Sequence, residues 1–479
     1  MSTLAAPAPT APRAAHPRRW LILALILAVE CMDLIDGTIL NVAAPTIRAD
    51  LGASLSALQW IVGGYALAFA VGLVTGGRLG DIFGRRRLFL IGVAGFTGAS
   101  VLCGLAPSDE LLIAFRLLQG VFAAIMVPQG FGILRHVFTP EELPKAFALF
   151  GPVMGGAAVL GPVLGGALTD GDLFGLGWRA IFLVNLPLGA FALFGAARLL
   201  PESRAAQRPQ LDLGGAALVT LAVGLLVYPL IQGREAGWPA WTFASIGASA
   251  VVLAAFVAFE RRRERHGASP LVTMSLFRKR AFSAGLATAL VFFAGMIGLM
   301  LTLSLFLQLG QGFSAIHAGL TLIPWSVGTA IGAGVAAGAV GPRLGRRTLH
   351  GGLAVMLAGV IGMLVVVRGG ASSLELAAPM LVAGVGMGAL LAPLFDFVLA
   401  GVDDDEVGSA SGVLNAMQQL GGAIGIAVLG TVFFSVAAAG GFTGAFERTL
   451  WIEAGAIAAT AALVCLLPRR AREHSAALT

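Results

Sequence analysis

Residues 20–44 read WLILALILAVECMDLIDGTILNVAA. The run is apolar enough to cross a bilayer, which takes about 20 mostly apolar residues in a helix. Glu30, Asp33 and Asp36 interrupt it at spacings of three. On a helix those positions fall at about 0°, 300° and 240°, inside one sector roughly 120° wide and along roughly 9 Å of axis. One face is therefore acidic at bilayer depth. Charges there are costly, and they mark a polar cavity, a buried partner or a proton-binding group.

Further apolar stretches follow at about 56–76, 88–106, 111–133, 146–168, 180–199, 213–232, 240–259, 282–307, 316–339, 349–367, 375–400, 408–436 and 450–467. With the first they make fourteen expected spans and an all-α membrane protein. A membrane barrel needs roughly ten-residue alternating segments, and these runs are long and uninterrupted. A soluble fold is excluded by composition: 479 residues with 57% apolar and only 12% charged side chains cannot solvate several domains.

The net charge of +6 gains meaning from its placement. With the N-terminus in the cytoplasm, 25 of the 31 Lys and Arg residues fall in cytoplasmic segments and five in external loops, with Arg116 inside a span. That asymmetry is the positive-inside pattern, so both termini are expected in the cytoplasm and no nucleic-acid partner is implied. Residues 1–19 lack the short apolar core of a signal peptide and read as a cytoplasmic tail. The expected units are a six-helix bundle over 20–199, a two-helix insert over 211–259, a cytoplasmic basic loop over 260–281, a second six-helix bundle over 282–467 and a tail over 468–479. In the basic loop, Leu271, Met274, Leu276 and Phe277 beside Arg278, Lys279 and Arg280 suit a short helix lying on an anionic leaflet. A plain positive-inside anchor fits the same residues.

Three cysteines (31, 103 and 465) exclude a disulfide framework or a four-thiolate zinc site, and the six scattered histidines offer no metal-binding pair. GxxxxGK[ST] and GxSxG are both absent, so no motor or hydrolase site is expected, and no cofactor or metal. Arg116 needs a carboxylate or carbonyls within the membrane, and the helix-1 acids are the candidates. Asp396, about a turn from a span end, is free to snorkel to water.

Three stretches carry glycine patterns. GGRLGDIFGRRRL follows the second span; Gly77, Gly80 and Gly84 permit a tight turn, Asp81 suits a helix start, and Arg85, Arg86 and Arg87 mark the inner surface. GPRLGRRTL at 341–349 is a weak echo of it, as expected of an internal repeat. GPVLGG in span five (Gly161, Pro162, Gly165, Gly166) lets helices approach closely and frees a carbonyl.

These residues resemble the major facilitator superfamily, and more narrowly its fourteen-span drug:proton antiporter branch. GRLGDIFGRRR (77–87) is similar to the loop signature between helices 2 and 3, with Ile82 where a basic residue usually stands. RLLQG (Arg116, Gln119, Gly120) resembles the helix-4 signature, with Phe122 at a place usually small, and GPVLGG resembles the helix-5 antiporter signature, with Ala157 for its first glycine. LIDGTILNVAAP (34–45), WRAIFLVNLPLG (178–189), PLVTMSLFRKRAF (270–282) and LFLQLGQGFSAIHAGLTLIP (305–324) are similar to further segments of that branch. The resemblance implies two six-helix bundles around a central cavity, the insert set aside, and alternating access driven by protons. The expectation is a bacterial inner-membrane multidrug efflux antiporter that acts as a monomer on amphipathic, cationic compounds. Asp36, Arg116 and Asp33 would couple protons, and Glu30, Asp33, Asn41, Gln119 and Gln308 would line the substrate cavity. Gly77, Gly80, Asp81, Gly84, Arg85, Arg86 and the GPVLGG residues would serve conformational change. Export of a neutral or anionic metabolite, or import, is the rival within transport; a membrane-embedded enzyme or channel is the rival outside it.

Overall fold

The computed structural model describes residues 16–139, 141–204, 211–336, 344–370, 372–400, 402 and 406–470. Most of both expected tails, part of the linker after residue 200 and the first residues of the GPRLGRRTL echo lie outside these. The described chain is helical. In order come α1 (Arg19–Leu51), α2 (Leu55–Phe83), α3 (Arg85–Gly104), α4 (Asp109–Val137), the short α5 (Leu143–Ala148), α6 (Phe150–Asp170), α7 (Ala180–Leu183) and α8 (Asn185–Leu199). Next are α9 (Leu213–Gln232), α10 (Ala240–Arg265), α11 (Arg280–Leu305), α12 (Ala315–Thr321), α13 (Ile323–Val335), α14 (Arg346–Arg368), α15 (Ser373–Leu399) and α16 (Val407–Val464).

Among the described residues, twelve helices are long and apolar enough to cross a membrane. The 33-residue α1 is not one of them, because at least three charged residues fall in any stretch of it long enough to cross. The 58-residue α16 counts once, although Gly441 (φ 81°) breaks it.

Small residues set how closely the helices pack. In the first bundle α2 lies on α4 so tightly that a Cβ on Gly76 would overlap the Ala124 carbonyl and one on Gly80 would overlap the Gln129 amide. Phe122, bulky for its place, lies over Gly95 of α3, where any side chain would strike its ring. In the second bundle α11 packs along both halves of α16, and α15 between α13 and α14. α9 touches both halves of the chain: Val223, Val227 and Ile231 bury against Leu67 of α2 and Ala423 and Ala427 of α16.

Two expectations are corrected here. α2 runs through to Phe83, so Gly77, Gly80 and Asp81 lie inside a helix, and only Gly84 (φ 108°) makes the turn. Glycine in a membrane helix serves close approach, since the helix satisfies its own backbone in lipid. The apolar residues of the basic loop face protein: Leu271, Met274 and Leu276 are buried in the main core, which leaves only Phe277 exposed. Their backbone is held by Arg78 of α2 at the Leu271 carbonyl (3.0 Å), Asp212 at the Leu271 N–H (3.2 Å) and Glu260 at the Val272 N–H (3.2 Å).

The bundles join at the end remote from Arg85–Arg87. There Ser304 Oγ of α11 donates to the Asn41 carbonyl of α1 (2.8 Å), and Gln308 Nε2 to that of Val42 (2.8 Å). The Ile316 N–H of α12 donates to Asp170 Oδ2 (2.8 Å), and Gln59 of α2 to the carbonyls of Ile426 (3.0 Å) and Ala427 (3.1 Å). Gly161 and Gly165 seat α6 on Thr38 and Ile39 of α1, while Gly166 seats it on Ala315 and Ile316. Toward the arginine-rich end, a Cβ on Gly155, Gly156 or Gly412 would meet nothing within 4 Å. Among the described residues, the remote side is therefore closed.

Candidate functional site

The buried charge of the first bundle sits where five helices converge. Arg116 of α4 donates from Nη1 to Asp36 Oδ2 of α1 at 2.6 Å, and each residue is 1% exposed. Gln119, one turn on, donates to Asp36 Oδ1 (2.9 Å), as does Asn185 at the start of α8 (2.7 Å). Ser100 of α3 accepts from both amides, at 2.7 and 3.0 Å. Arg116 also donates to Gln119 Oε1 (2.7 Å) and to the Ile61 carbonyl of α2 (3.2 Å). The Asp36 carboxylate thus has three donors, and the guanidinium is paired as a cation in lipid must be.

The other two acids face elsewhere. Asp33 accepts the phenol proton of Tyr65 from α2, and the same ring lies 4.5 Å beneath the Arg116 guanidinium. Tyr65 therefore touches both the buried pair and the acidic face. Glu30 lies beside Gly130 of α4 without a hydrogen-bond or ion-pair partner among the described residues. One turn beyond Asp33, a Cβ on Gly37 would meet nothing within 4 Å, so the face carrying Glu30 and Asp33 opens to space.

The structure divides the expected cavity residues. Gln119 is fully buried in the Asp36 network and lines no cavity. Asn41 and Gln308 belong to the α1–α11 junction, joined through Ser304, Gln308 and the α1 carbonyls. Asp81 is held by Arg85 (2.7 Å), which donates its other arm to the Gly132 carbonyl (2.9 Å). Gly84 and Arg86 abut Glu202, whose Oε1 accepts the Arg86 N–H (3.2 Å). Asp396 is exposed on α15.

Sequence reasoning missed Ser100, Asn185 and Tyr65. Uncharged polar residues within spans are a weak signal, although Tyr65 is one of only two tyrosines in the chain. It also missed Glu453, a buried carboxyl in the last part of α16.

The family model described as Major Facilitator Superfamily matches residues 26–426. The chain belongs to that superfamily. Among relatives, the "Probable actinorhodin transporter" of Streptomyces coelicolor is 53% identical over 88% of this chain and 73% of its own length. A puromycin resistance protein of Streptomyces alboniger is 35% identical over 88% and 83%, and the tetracenomycin C resistance and export protein of Streptomyces glaucescens 34% over 87% and 76%. Of solved structures, an auto-inhibited POT family peptide transporter superposes with a TM-score of 0.66 at 14% identity, over 97% of this chain and 99% of that one. A bacterial homologue of the lysosomal transporter Spinster gives 0.62 at 16%, over 94% and 97%. Those two likenesses concern the fold alone. As a member of the Major Facilitator Superfamily, this multi-pass membrane protein is a transporter of small molecules.

Proposed function

We propose that this transporter is a fourteen-span, proton-coupled antiporter that exports amphipathic, cationic antibiotics or drugs across the bacterial cytoplasmic membrane, with both termini inside. The observation that carries the reading is the buried Asp36–Arg116 pair, joined through Tyr65 to a separate acidic face on the same helix. A proton site and a cation site then share one helix and one phenol. The relatives named for antibiotic resistance and export support the direction of transport.

Two helices support the span number. At about 1.5 Å per residue, the 33 residues of α1 reach across a bilayer. The 58 residues of α16, broken at Gly441, suffice for two crossings. Added to the twelve apolar helices, these give fourteen.

With the arginine-rich end cytoplasmic, the bundles are open to the cell interior. A cation enters there and settles against Asp33 and Glu30. Protonation of Asp36 removes the anion that holds Arg116, Gln119 and Asn185 together, so α1 is released from α4 and α8 and the bundles rock. One charge crossing the membrane is worth about 2.3 kcal/mol per 100 mV, so one or two protons sustain a large drug gradient.

Inverted vesicles with an imposed pH gradient test the reading, using the monovalent dye ethidium and the divalent dye propidium. Wild type should accumulate both, and Asp33→Asn should lose propidium more than ethidium, because a doubly charged ligand suffers most from a lost anion. Equal loss of both dyes would remove the substrate-charge role of Asp33. Transport of neutral or anionic compounds alone would overturn the cationic assignment.

A further inference from the structure

The second bundle holds a carboxyl that the mechanism above does not use. Glu453 lies in the part of α16 beyond Gly441, is 1% exposed, and its Oε2 has no hydrogen-bond partner among the described residues. It rests directly on Gly295 of α11, where a Cβ would overlap the carboxyl. Gly295 is 15 residues into α11, and Glu453 is 12 residues past the Gly441 break. Both positions are near mid-membrane at about 1.5 Å per residue.

Among the described residues, no cation reaches it. The part of α16 beyond Gly441 meets Gly295 and Phe306 of α11 and Arg368 of α14. The charged groups of these segments are Arg280, Arg346, Arg347, Arg368, Glu447 and Arg448, all near helix ends. Arg368 is paired with Glu447 (3.1 Å), and Arg346 donates to the Cys465 and Leu467 carbonyls. An ionised carboxyl without a partner at that depth is prohibitive, so the group is held neutral by a proton.

The placement mirrors the first bundle. There the last helix brings Asn185 against Asp36, 17 residues into the first helix. In the second bundle the last helix brings Glu453 against Gly295 of α11, the corresponding first helix. Asn185 lies six residues after Arg179, and Glu453 five after Arg448. The acid has changed helices, and no arginine accompanies it.

We propose that Glu453 is a second proton-binding site, loaded in this conformation and emptied when α16 parts from α11 during the transport cycle. It rests on the antiport reading for its role in the cycle, and on geometry alone for the bound proton. Protonation and ionisation of the same oxygen balance the step: one proton enters the carboxylate and the same proton leaves.

Infrared spectroscopy of the purified protein in lipid at neutral pH should show a protonated-carboxyl C=O band that Glu453→Gln removes and Glu453→Asp shifts. In proteoliposomes, Glu453→Gln should lower the proton-to-ethidium ratio by one. The greatest ethidium gradient would then fall about tenfold for every 59 mV of proton motive force. Spectra that do not differ between wild type and Glu453→Gln, or an unchanged ratio in a coupled transporter, would overturn the proposal. Wild type that exports ethidium without using protons would refute the antiport reading instead, and the infrared band alone would then decide whether Glu453 binds a proton.

Discussion

The two bundles solve the same problem of a buried carboxyl in different ways. In the first, Asp36 meets Arg116, Gln119 and Asn185 within 2.9 Å and its carboxylate accepts from all three. In the second, Glu453 meets the bare Cα of a glycine and, among the described residues, no cation. A carboxylate fixed by a guanidinium binds helices together while it stays ionised, and loses that grip when protonated. A neutral carboxyl on glycine costs little while it keeps its proton and becomes expensive on losing it. A guanidinium with two amides and a bare glycine are thus opposite surroundings for the same kind of group.

The comparison is broken most severely at Arg116. Arg116→Ala leaves Asp36 buried and unpaired, with an expected loss of about 3–5 kcal/mol and of all transport. Arg116→Lys should fail in transport too, because one ammonium cannot reproduce the planar fork that reaches Asp36, Gln119 and the Ile61 carbonyl. Thermal unfolding in detergent and vesicle transport check both, and full coupling in the Lys variant would reduce Arg116 to a structural cation.

Gly295→Ala attacks the other bundle. Its methyl would overlap Glu453, at an expected cost of about 1–3 kcal/mol. The double change Gly295→Ala with Glu453→Ala should recover part of that loss, since touching residues are not additive. Simple addition of the two single effects would show that the pair is not in contact.

Asn185→Ala is expected to be milder. It removes one of Asp36's donors, worth about 1–3 kcal/mol for a charged acceptor, while the arginine remains. Transport should slow by more than the amount of folded protein falls; proportional losses would make Asn185 a packing residue only.

The smallest effect lies outside the membrane. Glu235, in the loop between α9 and α10, accepts the Ser56 N–H (2.9 Å) and hydroxyl and so caps the start of α2. Burial opposes its ionisation, but the bonds from Ser56 and the Arg234 charge outweigh it and hold the carboxyl below its ordinary value. Its stabilisation is therefore complete above about pH 4.3 and fades as pH falls through the lower folded value. Glu235→Gln should cost under about 1 kcal/mol at neutral pH and nothing in strong acid. A deficit that persists unchanged into acid would exclude the charge as its cause.

The acidic face of helix 1, the need of Arg116 for a partner and most spans were legible, because charge in a long apolar run is a loud signal. Which acid took the arginine was not, since three carboxyls on one face are equivalent until neighbouring helices are placed. Glu453 obeys the same rule but escaped it. A span begun at residue 450 makes it a boundary residue, and only the break at Gly441 puts it at mid-helix. Gly77 and Gly80 misled in the opposite sense: glycine marks turns in water, but in lipid it also marks where helices touch. The apolar side of the basic loop was visible, but whether it met lipid or protein depended on Arg78, Asp212 and Glu260 clasping its backbone.

The central claim is that Asp36, held by Arg116, is where proton movement is coupled to transport. It is tested most directly by Asp36→Asn, which keeps the shape and removes the proton exchange. In the same inverted vesicles, ethidium binding and ethidium uptake driven by an imposed pH gradient are measured at matched amounts of protein. Binding close to wild type and no gradient-driven accumulation are expected. Accumulation by Asp36→Asn at the wild-type level would contradict the claim.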